Sequence, residues 1–337
     1  MVSHLRKCRT AVAAAITTAL LVPIPATAAT AGDLQGADLC TTDTADTAGT
    51  AGTAGLAGTA GTADRDPTLA ARMSKDIRAA LWSRAGTVSV SVHDSRTGLV
   101  CELASRRRYD AASVAKLLVM EAALRRAQEW RRGLTGWERR RIRPMITVSD
   151  NHAAQRLWND LGYRYLSRFL RRVGTTATTL GTYGRWGLTG TTAADQSRLL
   201  DVLTGVRGIL GPRARAYGLR QMAEVRRDQR WGVPAGMPRG VRAHLKNGWL
   251  PRATHGWRVH SVGVFTGGGR TYRIVVLSHD NPTMAYGVRT IERIAQAVHR
   301  GLHKGRAIGQ ELTPESEISE VPDGSAPAED DDPDPAA

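Results

Sequence analysis

The sequence predicts an α+β fold: an antiparallel five-stranded sheet with flanking terminal helices and an inserted all-helical subdomain. Three observations predict it. Alternating apolar residues mark two strands early in the chain and three late. Helical periodicity fills most of the stretch between them, from Ser113 to Gly240. Amphipathic helical patterns stand at both ends of the array.

Leu69, Met73, Ile77 and Leu81 recur every four residues and give the first helix its apolar stripe. From Thr87 to His93, Val88, Val90 and Val92 alternate with polar residues, and a second strand follows near Leu99 to Leu103. Ser95-Arg96-Thr97-Gly98 is the turn between them, so the two form a hairpin. Helices are expected at 113–130, 137–147, 151–161, 163–173, 192–204 and 213–224. Strands are expected at 241–247, 256–266 and 271–279, and a last amphipathic helix at 287–303.

The ends of the chain read differently. Arg6, Lys7 and Arg9 precede an apolar stretch from Ala11 to Val22, broken by Pro23 and Pro25 and followed by Ala26-Thr27-Ala28. This is the order of a secretory signal peptide over 1–28; an uncleaved anchor is the alternative. Residues 29–66 contain a Thr-Ala-Gly repeat over 47–63, with almost no side chain large enough to offset the entropy of ordering, and are expected to be a disordered linker. The globular part is 67–305. Residues 306–337 are expected to be a disordered acidic tail: 311–337 hold ten acids and no base. A solvated tail is the simpler expectation, and folding back onto a basic domain is the other. Export removes Cys8 with the signal and leaves Cys40 and Cys101 in an oxidising compartment. There a pair is more often bridged than free, although sequence leaves the geometry open.

Composition excludes several classes. With 337 residues, 42% hydrophobic and 23% charged, the chain can bury a sizeable core and is not disordered as a whole. No apolar run of 18 follows the N-terminus, so a polytopic membrane protein is excluded. Three cysteines are too few for a disulfide-dense scaffold or a Cys-rich zinc cluster. The net charge of +16 and runs such as Arg106-Arg107-Arg108 and Arg139-Arg140-Arg141 suit a polyanion. Export argues for anionic wall polymers or headgroups over nucleic acid, so no nucleic-acid partner is expected.

The lysines point to chemistry. Of 47 basic residues only five are Lys, at positions 7, 75, 116, 246 and 304. Arg stays protonated, whereas Lys can lose its proton through burial or a second cation. Lys116 follows Ser113 by three positions at a helix start, which places amine and hydroxyl on one face. The helix N-terminus also aims backbone N–H groups at the site of a developing oxyanion. Ser149-Asp150-Asn151 opens a later helix, and Lys246-Asn247-Gly248 closes a strand after the helical block. No G-x-S-x-G elbow, P-loop or dinucleotide fingerprint is present. His299 and His303 stand i, i+4 at a helix end without a third ligand and read as surface histidines; no metal or cofactor is expected.

This order of S-x-x-K, S-D-N and K-x-G resembles the class A β-lactamases and related penicillin-binding serine enzymes over residues 67–303. Ser149-Asp150-Asn151-His152-Ala153-Ala154 resembles the family's SDN-x-AA run. Arg273-Ile274-Val275-Val276-Leu277, then Thr283-Met284, resembles its last strand and helix. The resemblance implies the β-lactamase/penicillin-binding fold, with Ser113 as acyl-accepting nucleophile. Lys116 would be its base, with its pKa lowered by burial and by Lys246. Ser149 would relay a proton to the leaving amine, and Asn151 would hold the substrate's amide side chain. Lys246 would supply positive potential for a substrate carboxylate. The N–H groups of Ser113 and Trp249 would form the oxyanion hole beside Gly248, with Asn247 and Arg258 or His260 assisting carboxylate binding. Asp150 would be structural.

Three departures stand out. The third motif reads K-N-G, with a planar, bulkier Asn247. Trp249 and Leu250 replace small residues. The region from Thr175 to Thr192, where family members carry the deacylating glutamate, contains no acid, and Asp195 lies just beyond it. Loss of a general base costs about 10²–10⁴ in rate, so slow deacylation is expected. The expected protein is a secreted, monomeric serine hydrolase acting on β-lactams or D-Ala-D-Ala-like wall peptides. A D,D-peptidase or esterase on the same fold, and a binding protein that captures these ligands without turnover, are the alternatives.

Overall fold

The computed structural model describes residues 39–42 and 67–326. The expected signal peptide, Cys8 and the Thr-Ala-Gly repeat lie outside the described residues. In chain order the elements are β1 (Cys40–Thr42), α1 (Pro67–Leu81), β2 (Thr87–Asp94), β3 (Leu99–Leu103), β4 (Tyr109–Asp110), α2 (Ala115–Glu129), α3 (Gly136–Thr147) and α4 (Asn151–Val173). Then come β5 (Gly190–Thr191), α5 (Ala193–Thr204), α6 (Pro212–Ala223), β6 (Arg242–Pro251), β7 (Trp257–Gly267), β8 (Arg270–Asn281) and α7 (Met284–Leu302).

The main sheet runs β1-β3-β2-β8-β7-β6, antiparallel throughout, and β4 pairs with β5 in a two-stranded patch. Terminal helices α1 and α7 pack on one another and on the sheet, while α5 packs against β2, β7 and β8. The central strands are consequently buried on both faces: Val90 and Val92 on one side of β2, Ser89 and Ser91 on the other. Helices α2 to α6 form the inserted block, as the patterning predicts.

Two differences from the sequence expectation have clear causes. Among the described residues the sheet has six strands, not five. Residues 40–42 lie inside the segment expected to be a disordered linker, yet they pair with β3 in the register Cys40↔Cys101. A Cys40–Cys101 disulfide fixes that register, and Cys40 N–H also donates to Ser74 Oγ. Three residues give no readable periodicity; a covalent bond and the free edge of β3 hold them. Likewise, the expected disordered tail does not hold for 306–326. Arg239 N–H donates to Ala307 O, Gly309 N–H to Met237 O, and Ile318 is buried in the core. Residues 327–337 lie outside the described residues.

Gly162 has φ 72° and ψ 153° within α4, which divides it where the sequence places two helices. The start of α4 positions chemistry: the Asp150 side chain caps it by accepting from Ala153 N–H. Asp150 therefore serves the backbone.

Candidate active site

Ser113 sits in a 3-10 turn, Ala112–Val114, that leads into α2, with Ser113 and Lys116 both fully buried. The three-residue spacing brings Lys116 Nζ within 2.8 Å of Ser113 Oγ. Lys116 Nζ also lies 2.6 Å from Ser149 O, 2.9 Å from Ser149 Oγ and 2.7 Å from Asn151 Oδ1. The Ser149 carbonyl and Asn151 Oδ1 can only accept, so they take two N–H bonds of the amine. A neutral amine then has a lone pair left for a hydroxyl proton.

Lys246, on β6, reaches the same hydroxyl from the other side: its Nζ is 3.0 Å from Ser149 Oγ and donates to Asn247 O at 2.8 Å. Burial first, then the positive charge of Lys246, holds the Lys116 amine well below the ordinary lysine range; Asp323 and Asp150 pull it upward. Burial lowers Lys246 to about 8, with Asp323 opposing. Burial thus depresses both amines, and the neighbouring Lys246 depresses Lys116 further.

Backbone geometry holds this cluster. Ala112 and Ser149 both have positive φ, 47° and 58°, a conformation that costs a non-glycine residue about 1–3 kcal/mol. Gly248 lets β6 press against the turn bearing Ser113: a Cβ there would lie 2.7 Å from Ser113 N and 2.8 Å from Val114 N. Consequently the N–H groups of Ser113 and Trp249 converge. Both donate to one carboxylate oxygen, Asp323 Oδ2, at 3.0 and 3.2 Å.

Ser113, Lys116, Ser149, Asn151, Lys246, Gly248 and Trp249, widely separated in sequence, therefore meet in one cleft. Two of the expected substrate ligands do not face it freely. The Asn247 side chain donates to Gln229 O and Trp231 O at 2.9 and 3.0 Å, pinning the loop behind β6. Strand alternation turns it away from the Lys246 side. Arg258 Nε donates to Asp110 Oδ2 at 2.9 Å, and its Nη1 to Thr254 O and Gly256 O. His260, two residues on, shares that face: its Nδ1 accepts from Ser278 N–H, and its Nε2 donates to Asp110 O at 2.8 Å. Burial lowers His260 to about 4, so it is neutral. Arg258 and His260 thus hold the strand that leads to Ser113, since the nearest carboxylate is Asp110.

The region without acids is ordered by Asp195, whose Oδ2 accepts from Ala177 N–H and Thr178 Oγ1 while Oδ1 pairs with Arg198. Facing the cleft, the Trp186 ring lies 4.7 Å from Lys116 Nζ. His299 is buried, not superficial: Tyr272 OH and the Val233 carbonyl bond its two nitrogens, because α7 turns this face inward. A His255–His279–Asp280 cluster, which sequence reasoning missed, brings three ligand atoms within 4.8 Å of one another. Its carboxylate is already shared with both imidazoles and Thr87. Asp323 was also missed; only the acidic composition of the tail hinted at it.

Fold and site together define the class, and the chain belongs to the β-lactamase enzyme family: the family's sequence profile (Beta-lactamase2) matches residues 72–136 and 139–302. "Putative lipoprotein LppW" of Mycobacterium tuberculosis is 30% identical over 242 residues, covering 70% of this chain and 74% of that protein. Among solved structures, a variant of the last common ancestor of Gram-negative class A β-lactamases aligns with a TM-score of 0.60 at 21% identity. It covers 69% of this chain and 100% of that one. A mutant of PBP-A, solved as the acyl-enzyme complex with penicillin G, aligns with a TM-score of 0.59 at 18% identity, covering 69% and 97%.

Proposed function

We propose that this chain is a cell-envelope serine hydrolase that forms an acyl-serine intermediate with β-lactams or D-Ala-D-Ala-like peptide amides and releases it slowly. The observation that carries the reading is the 2.8 Å approach of the Ser113 hydroxyl to a buried, depressed amine. In the acylation step the Ser113 Oγ–H proton passes to Lys116 Nζ as Oγ bonds the carbonyl carbon. The carbonyl electron pair moves onto oxygen between the Ser113 and Trp249 N–H groups. The C–N bond then breaks, and the leaving nitrogen takes a proton from Ser149 Oγ, which is replenished from Lys116. Lys246 supplies the positive potential for a substrate carboxylate, and Asn151 Nδ2 donates to the substrate's amide side chain.

Slow release follows from the residues opposite Ser113. The region from Thr175 to Thr192 has no carboxylate, Asp195 is engaged at its base, and Trp186 covers Lys116. A hydrolytic water lacks a base there, a deficit of about 10²–10⁴ in rate. The envelope location is supported by the signal-like N-terminus and by a relative named as a lipoprotein. The arginine-rich surface suits anionic wall polymers, and the protein acts as a monomer without a cofactor.

Penicillin G and intact-mass spectrometry test this. Wild type should gain the mass of the whole opened penicillin and keep it for hours, whereas Ser113→Ala should gain none. Rapid loss of the adduct removes the slow-release part, and a D,D-peptidase or esterase panel then separates the alternatives. Persistence without any turnover of peptide substrates favours a capture protein. No adduct on either wild type or Asp323→Ala excludes penicillin G as a ligand.

A further inference from the structure

The segment Val321–Ser325 crosses the cleft and uses its functional groups one after another. Asp323 Oδ2 accepts from both converging N–H groups, those of Ser113 and Trp249. Asp323 O accepts from Asn151 Nδ2 at 2.8 Å, and Asp323 N–H donates to Trp249 O at 3.2 Å. Val321 O accepts from the Trp249 indole Nε1–H at 2.7 Å. Because β6 is the edge strand of the sheet, the Trp249 backbone is open to this segment: Trp249 O takes one backbone bond from Asp323, and Trp249 N–H meets the side chain turned into the oxyanion position.

The fit is close on both sides. A Cβ on Gly324, whose φ is 66°, would lie 2.8 Å from Asn151 Nδ2. A Cβ on Gly187 would lie 2.1 Å from Ser325 O, and Ser325 is buried. Anchors just upstream raise the local concentration of the segment. Ile318 is buried in the core, and the Glu320 carboxylate caps α7 by accepting from Met284 and Ala285 N–H. Charge agrees: an acid-only stretch meets a site holding two amines.

We propose that Val321–Ser325 is an intramolecular ligand of the acyl cleft, a short carboxylate-bearing segment that keeps the enzyme latent until it is displaced. The inference rests on the acyl-serine reading above. A substrate must wait for the open fraction of the protein, which divides its apparent affinity by that fraction. The ligand class follows from the contacts: a peptide with a carboxylate two residues after a carbonyl that can reach the Trp249 indole.

The test compares the full chain with Asp323→Ala, which removes the carboxylate, and Gly324→Val, which expels the segment while leaving every charge. Two readouts are taken: labelling rate at Ser113 by penicillin G and by a fluorophosphonate, and hydrogen-exchange protection of the Ser113 and Trp249 amides without ligand. Both variants should label at least ~10-fold faster and lose protection at both amides. Equal labelling rates overturn latency while leaving the acyl-serine reading standing. Unchanged amide protection overturns occupancy whatever the rates. Faster labelling by fluorophosphonate alone supports the inference and removes penicillin as a ligand. No labelling of any form by either probe sinks the acyl-serine reading and this inference with it.

Discussion

Replacing Lys246 by Met isolates the electrostatic part of the site. Lys116 Nζ and Lys246 Nζ are 2.9 and 3.0 Å from the same Ser149 Oγ, so the two amines are at most about 6 Å apart. At an effective dielectric near 20, two unit charges at that separation repel by about 3 kcal/mol. Removing one should lower the ratio of neutral to protonated Lys116 about 100-fold at a given pH. Lysines are so few that this can be seen directly. With lysine labelled at Cε, the five-Lys chain should give a sparse spectrum, with Lys116 titrating well below the ordinary range and Lys246 near 8. In Lys246→Met the Lys116 midpoint should move up toward the ordinary lysine value. The acidic limb of Ser113 labelling should move with it. A Lys116 midpoint that stays in place would refute the coupling, and burial alone would then explain the depressed amine.

Other consequences follow from single residues. Gly248→Ala would push a methyl to 2.7 Å from Ser113 N, displacing one of the two converging donors. Loss of such a donor costs about 10²–10³ in rate, so labelling of Ser113 should fall by that factor, and an unchanged rate would remove the N–H pair from the account. Glu121, fully buried with neither oxygen partnered among the described residues, is held well above the carboxylate range by burial and then by Asp201. Its folded pKa is raised, so its cost is absent below the unfolded value and grows as pH rises above about 4.3. Glu121→Leu should stabilise the protein by about 1–3 kcal/mol at neutral pH and by less near pH 4, read by denaturant unfolding. A less stable variant at neutral pH would show that the carboxyl has a partner.

Strand and helix order were legible because they rest on local period. Val88, Val90 and Val92 alternate, Leu69 to Leu81 recur every four residues, and Gly162 breaks the long helix where two were expected. The site was legible through its motifs because S-x-x-K is itself a geometric statement: three residues on a helical start bring hydroxyl and amine together. What sequence could not supply is which way a side chain turns when its neighbours are distant. Asn247 and Arg258 bond the 229–231 loop and Asp110, partners 16 or more residues away. His299 appeared superficial because its i, i+4 spacing says nothing of Tyr272 and Val233 on its other side. The acidic stretch after residue 306 looked disordered by composition, which cannot register that Ile318, Glu320 and Asp323 each meet a prepared partner.

The central claim is that a neutral amine at Lys116 strips the proton from Ser113. Lys116→Arg, treated with penicillin G or a fluorophosphonate and read by intact mass, tests it most directly. The guanidinium keeps N–H donors at this position but stays protonated and cannot accept the proton. No label on Ser113 in this variant, with wild type labelled under the same conditions, is the result the account predicts. Labelling at the wild-type rate would contradict it and remove Lys116 from the chemistry.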